Sequence, residues 1–219
     1  MEYTCNTTAI NAFLLTLLCS MWQVTARAQE TKWDLKKNAN GIKVYTSATP
    51  GSAIKSIKAT LEFDAPLEAL IALVKDVESY STWVYKCSEN KLIKRVNDTI
   101  QIFRHVTDAP FPLDDRDQVS RMVIHVHEGG AEIQTQVVNG ILPEQPGFVR
   151  LHRSHASWKF TVGENSKINA VYHLSFDPNG NVPAWLINLF ITEGPYESLV
   201  KMKSVVHQEK YLEAASTKR

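Results

Sequence analysis

Residues 177–212 read DPNGNVPAWLINLFITEGPYESLVKMKSVVHQEKYL, and this stretch decides the fold. Asp177-Pro178-Asn179-Gly180 is a turn, because Asn and Gly tolerate positive φ and Pro fixes its own. Pro183 stands where a first helical turn accepts a residue without an N–H. Beyond it, Trp185, Leu189, Tyr196, Leu199, Met202 and Val206 recur at near-helical spacing and predict one long helix with a single apolar stripe. Between 184 and 191 the apolar residues nearly encircle the helix, which is more than one buried face requires. A helix docked on a solid core explains the stripe; a helix that roofs an oily cavity explains the surplus too. Gly194-Pro195 interrupts the pattern, and the Pro195 ring crowds the Ile191 carbonyl, so a kink is expected there. Such a joint would suit a lid.

The chain of 219 residues has ample material for a core and no break in composition. Its 24 Lys and Arg nearly balance its 23 Asp and Glu, for a formal charge of +1. That balance argues against a nucleic-acid partner. Residues 9–24 are mostly apolar and lead into Ala26-Arg27-Ala28, a small-x-small site. Residues 1–28 are therefore expected to be a cleaved export signal, leaving a domain over 29–219 and a periplasmic or secreted protein. Residues 1–8 carry Glu2 and no Lys or Arg, which is atypical of such a signal. The apolar run is short for a membrane span. A lipoprotein signal at Cys19 fits less well, because Leu18 before it is bulky. With Cys5 and Cys19 removed, Cys87 stands alone and forms no internal disulfide. It has no evident His/Asn partner pattern in the sequence and reads as a structural thiol.

The remaining pattern is α+β. Residues 33–40 read as a short helix stopped by Gly41, and 42–49 and 53–63 as strands joined at Pro50-Gly51. Asp64 is the expected N-cap of an amphipathic helix reaching about residue 80. Strands follow at 91–96, 99–106, 118–126, 132–138, 149–162 and 167–176, punctuated by Asn97-Asp98, Glu128-Gly129-Gly130 and Gly163-Glu164-Asn165.

Four stretches then resemble a family, the START (steroidogenic acute regulatory protein-related lipid transfer) domains. PFPLDDRD at 110–117 is similar to the family's Pro-x-Pro-Leu-x-x-Arg-Asp loop, and LPEQPGFVR at 142–150 to its Pro-rich loop and following strand. Trp158 matches in the next strand, and 177–188 resembles the strand-to-lid junction. The resemblance implies a helix-grip fold: a curved antiparallel sheet around a hydrophobic tunnel, closed by a long C-terminal helix. It also implies binding, and transfer or sensing, of one hydrophobic ligand such as a lipid. No metal or organic cofactor is implied. Sterol-binding relatives place a Glu–Arg pair inside the cavity; by count these positions fall on Phe103 and Met122 here, so sterol specificity is not carried over.

Strand alternation places Phe103 with His105, and Met122 with Ile124, on the face assigned to the tunnel. Trp158, Tyr172, Trp185, Leu189 and Phe190 complete the expected ligand-binding set, with Gly194 and Pro195 as hinge. Arg116 and Asp117 read as a structural loop pair, a headgroup role for Arg116 being the less favoured reading. His105 reads first as bonded to the protein itself, second as orienting a ligand. His125 and His127 share a face but lack a third ligand, and Asp114, Asp115 and Asp117 lack the Gly and Glu of a calcium loop. His152 and His155 face opposite sides of a regular strand. Asn97-Asp98-Thr99 is a glycosylation sequon. The alternative function is an enzyme, such as a cyclase or aromatase, using His105 or Tyr172 in the same cavity; no catalytic motif marks it. A monomer with transient membrane contact is expected.

Overall fold

The computed structural model describes residues 31–111 and 113–216. The expected export signal at 1–28, with Cys5 and Cys19, lies outside them. Ten strands form one curved sheet: β1 (Asp34–Ala39), β2 (Ile42–Thr49), β3 (Ser52–Phe63), β4 (Cys87–Asn97), β5 (Ile100–Thr107), β6 (Asp115–His127), β7 (Gly130–Val137), β8 (Phe148–Arg150), β9 (Ser154–Val162) and β10 (Ile168–Phe176). The order across the sheet is β1-β2-β3-β10-β9-β7-β6-β5-β4, antiparallel throughout, with β8 added in parallel to β6. The helices are α1 (Leu67–Lys75), α2 (Ala184–Phe190), α3 (Glu193–Val205) and α4 (Glu209–Ser216).

Several local expectations change. Residues 33–40 form no helix: Asn40 and Gly41 both take positive φ, 54° and 73°. Asn-Gly is the preferred pair for a two-residue hairpin turn, and it folds β1 back on β2. Helix α1 starts after Pro66, whose carbonyl accepts the Ala69 and Leu70 N–H groups, so Asp64 does not cap it. It ends at Lys75, and a 3-10 turn covers Val77–Thr82. The expected strand at 149–162 is two strands broken at 151–153, because β8 joins β6 while β9 joins β7 and β10. Gly130 is required by close approach: a Cβ there would lie 2.3 Å from the Phe160 carbonyl oxygen.

The long C-terminal helix is three helices. Pro195 has no N–H for the Ile191 carbonyl, so the ladder breaks at Ile191–Thr192, a turn before Gly194-Pro195. The chain stays in the right-handed helical region through both residues, so the break bends the path without a loop. A second break at Val206–Gln208 carries no Pro or Gly and tightens through i−3 bonds from His207 to Ser204 and Gln208 to Val205.

The stripe divides accordingly. Tyr196, Leu199, Met202 and Val206 are buried in the core with Leu70, Leu73 and Val74 of α1. Trp185 and Leu189 instead lie 68% and 64% exposed. Helices α3 and α4 are also held by polar contacts. Asn40 donates to the Tyr196 hydroxyl at 2.8 Å, and the Lys37 ammonium lies 3.5 Å from the Tyr196 ring centre. The Tyr211 hydroxyl and the Lys210 ammonium both reach Asp76 beyond α1, at 2.9 and 2.8 Å. Among the described residues helix α2 has one such attachment: Asn188 accepts from the Lys55 N–H at 3.0 Å and donates to the Ala53 carbonyl at 2.9 Å. These groups lie on β3 beyond Ile57, the last residue that pairs with β10.

Candidate functional site

A cavity of about 460 Å³ lies between the concave face and the helices α2 and α3. Its floor follows the alternation of the strands. Phe103, His105 and Thr107 of β5, Arg116 and Gln118 of β6, Trp158 of β9 and Tyr172 of β10 face it. Leu186, Ile187, Phe190 and Ile191 form its roof, with Pro195, Ser198 and Leu199 continuing along α3. Its side wall, Tyr80 to Tyr85, comes from the 3-10 turn and the link to β4. A smaller hollow of about 280 Å³ borders Thr49–Ser52 and His152–Ser154; it is more polar, and Arg153 in its wall is already paired with Asp177.

Of the expected ligand-binding residues, Phe103, His105, Trp158, Tyr172 and Phe190 line this cavity. Four do not. Met122 and Ile124 share the concave face but lie further along it, inside the packed core. The end of α1 covers that part of the sheet: Gln101, cross-strand partner of Met122, donates to the Lys75 carbonyl at 2.7 Å. Trp185 and Leu189, four residues apart, sit on the outer side of α2. The helix is apolar almost all round, so periodicity alone could not choose its inner side. Gly194 and Pro195 line the cavity, and a Cβ on Gly194 would lie 3.3 Å from the Tyr85 ring, so the α3 backbone packs closely there.

Arg116 and Asp117, read as a structural loop pair, face opposite sides of the sheet, as adjacent strand residues do, and make separate contacts. Arg116 faces the cavity. Asp117 is buried on the convex side, where Arg150 donates at 2.7 and 2.9 Å and Arg104 at 2.9 Å. Burial raises the Asp117 carboxyl, but the hydrogen bonds from Arg150 and Arg104 outweigh it and hold it below the ordinary range. Arg150 also donates to the Leu142 and Pro143 carbonyls, which secures the Pro-rich loop.

His105 is bound on both nitrogens. Nδ1 lies 2.7 Å from Asn90 Oδ1, and Nε2 lies 2.9 Å from the Thr107 hydroxyl. Asn90 donates its amide to Cys87 Sγ, so the thiol belongs to a His/Asn cluster absent from any local sequence pattern. With the Asn90 amide spent on sulfur, its oxygen requires Nδ1–H, and the Nε2 lone pair accepts from Thr107. Burial lowers the His105 pKa to about 4 and raises that of Cys87, so both groups are neutral at pH 7. Burial likewise raises the Tyr172 and Tyr80 phenols.

The other candidates lie away from the cavity. His125 is exposed, and His127 bonds the Glu128 carbonyl. Asp115 accepts from the Ala109 N–H. His152 contacts Asn139 and Glu144, while His155 lies across the strand break in register with Gln136. Asn97 accepts from the Thr99 N–H in its exposed turn.

The chain is similar to an uncharacterized protein of Pseudomonas aeruginosa, 26% identical over 193 residues, covering 88% of this chain and 95% of that one. It is likewise 26% identical over 163 residues to phosphatidylcholine transfer protein of Rattus norvegicus, covering 71% and 75%. The crystal structure of a STAR-related lipid transfer protein from Xanthomonas axonopodis matches with a TM-score of 0.74 at 26% identity, over 80% of this chain and 99% of that one. Human StAR-related lipid transfer protein 5 shares the fold, with a TM-score of 0.72 at 19% identity, over 92% and 96%. Residues 63–199 match the model of the polyketide cyclase/dehydrase and lipid transport family, and the chain belongs to that family, with the helix-grip fold of its START members.

Proposed function

We propose that this protein is a carrier: it holds one hydrophobic ligand in the cavity beneath α2 and α3 and exchanges it at a lipid surface. The observation that supports this most is the cavity itself, about 460 Å³ walled mainly by aromatic and aliphatic side chains. That volume falls in the range of ~300–1,000 Å³ typical of small-molecule sites, and each Å² of apolar surface removed from water contributes roughly 25 cal/mol. The similarity to phosphatidylcholine transfer protein and to a STAR-related lipid transfer protein points the same way. Trp185 and Leu189 on the outer side of the roof, and Phe111, 97% exposed on a loop that borders the cavity, supply apolar groups that could enter a bilayer surface. Export through residues 1–28 is part of the same proposal.

Native mass spectrometry of the purified protein, with extraction of what co-purifies, tests the carrier reading. Substituting Trp185 and Leu189 together by Ala is expected to slow transfer between vesicles by about tenfold while leaving the bound ligand in place. A protein that emerges empty and takes no labelled lipid from vesicles would remove the reading.

One observation favours the alternative, an enzyme. Thr107, His105 and Asn90 are connected as hydroxyl, imidazole and orienting group, as a nucleophile, base and third residue would be. A His with a pKa of about 4 is a weak base at neutral pH, so the carrier reading leads. Turnover of a bound ester that disappears in His105→Ala would reverse that order.

A further inference from the structure

Among the described residues lining the cavity, Arg116 is the only Lys or Arg. It stands opposite Thr107 in the β5–β6 register, as Gln118 stands opposite His105, so the four polar groups form one end of the floor. Among the described residues the Arg116 guanidinium has two hydrogen-bond partners, the backbone carbonyls of Asp114 and, at 3.5 Å, Pro178. A guanidinium carries five N–H donors, so most of its capacity is unspent. Among the described residues Arg116 has no ion pair, and the Asp115 carboxylate accepts from the Ala109 N–H. The Gln118 amide has no hydrogen-bond partner among the described residues either. Asp108, the only acid among the described lining residues, is exposed to solvent.

The contrast with the convex side is direct. There Arg104 and Arg150 converge on one buried carboxylate, Asp117. Arg116 is partly withdrawn from water without such a partner, and burial lowers its pKa against the pull of Asp114 and Asp115. A partly buried cation with free donors beside a free amide is arranged to receive an anion.

We propose that Arg116, with Gln118 beside it, anchors the anionic headgroup of a single-chain amphiphile, a carboxylate or a phosphate monoester, whose alkyl chain lies along Phe103, Trp158 and Tyr172. This rests on the carrier reading and names its ligand class. The cavity, in the lower part of the ~300–1,000 Å³ range, suits one chain and a compact headgroup. The headgroup also sits where Arg116 joins the Asp114 loop to Pro178 at the start of the roof segment, so ligand and roof share one contact.

The experiment measures binding of palmitate, 1-palmitoyl lysophosphatidate and hexadecanol to the delipidated protein by titration calorimetry. At least one anion is expected to bind about tenfold or more tightly than hexadecanol. Arg116→Gln is expected to remove that preference while hexadecanol affinity stays within about twofold, and Arg116→Lys to restore part of it. If Arg116→Gln does not fold, Gln118→Leu reports instead, with a smaller loss confined to the anions. Palmitate alone preferred identifies a fatty-acid site, lysophosphatidate alone a phosphate site; both uphold the inference. Equal binding of all three ligands, or an equal loss for all three in Arg116→Gln, overturns it and leaves the carrier reading standing. Binding of none removes both.

Discussion

At one end of the concave face, Met122, Ile124, Ile133 and Phe160 are buried in the core that also holds the apolar side of α1, and are shut away from solvent. At the other end of the same strands, Phe103, His105, Trp158 and Tyr172 face a cavity. Residue alternation is the same along both ends. What differs is the cover. The packed end lies under α1, with α3 and α4 locked down through Asp76, Ser79 and Asn40. The hollow end lies under α2, a two-turn helix held by Asn188 and its own apolar inner side. The sheet thus supplies one continuous concave face, and the placement of helices decides which part becomes core and which part a binding site.

The largest effect should fall on the packed end. Phe160→Ala removes a fully buried ring stacked on Trp158 and is expected to cost about 3–5 kcal/mol in urea denaturation. Leu174→Ala, in the wall of the existing cavity, enlarges a space already present and should cost less than about 2 kcal/mol. Equal losses would break the distinction between the two ends.

The next largest effect comes from His105, at the hollow end. Its pKa falls from 6.5 to about 4 on folding, so between these values the unfolded chain binds a proton that the folded protein does not. The stability this contributes is complete above pH 6.5 and is lost as pH falls towards 4, by at most about 3 kcal/mol given the residual contact with the cavity. His105→Gln should flatten most of that slope in denaturation midpoints collected from pH 7 to pH 4. His173, also lowered by burial, should leave a smaller slope of the same sign. Asp117, held below the ordinary carboxylate range, titrates the other way round in position: its contribution is present above its unfolded value near 3.8 and fades only in stronger acid.

The sequence was informative where local chemistry and long-range order agree. Turn residues marked most hairpins, alternation along β5 put Phe103 and His105 on the correct face, and the surplus of apolar residues at 184–191 announced a helix with something to cover. It misled where one pattern serves two purposes. Asn40-Gly41 ends a helix as readily as it turns a hairpin, and only pairing with β2 decides. Met122 and Phe103 are both apolar concave-face residues, and nothing local says that the Lys75 carbonyl will dock beside one of them. Trp185 and Leu186 are equally apolar neighbours, and which one turns inward depends on where Asn188 finds the free edge of β3. The cluster of Cys87, Asn90 and His105 was invisible because β4–β5 pairing, not sequence distance, assembles it. Arg116 and Asp117 read as one structural loop unit because they are adjacent, and nothing local says that the strand gives each its own face and its own partners.

The smallest effect, and the one that tests the roof most directly, belongs to Asn188. Its side-chain amide imitates a strand, giving a donor to the Ala53 carbonyl and an acceptor to the Lys55 N–H where β10 no longer covers β3. Asn188→Ala removes both bonds, each contributing about 0.5–1.5 kcal/mol net, at a site water can reach. The chain breaks its helical ladder at Ile191–Thr192, so the loss should stay within α2 and leave the global unfolding midpoint nearly unchanged. Hydrogen exchange at the α2 amides should then quicken by about 5- to 30-fold, with the α3 amides unaffected. If α2 and α3 quicken together, Asn188 secures the whole C-terminal segment and the roof does not move as a unit of its own. If α2 alone responds, the ligand has a door whose latch is a single asparagine, and the break that Pro195 imposes on the helix is what separates the door from its frame.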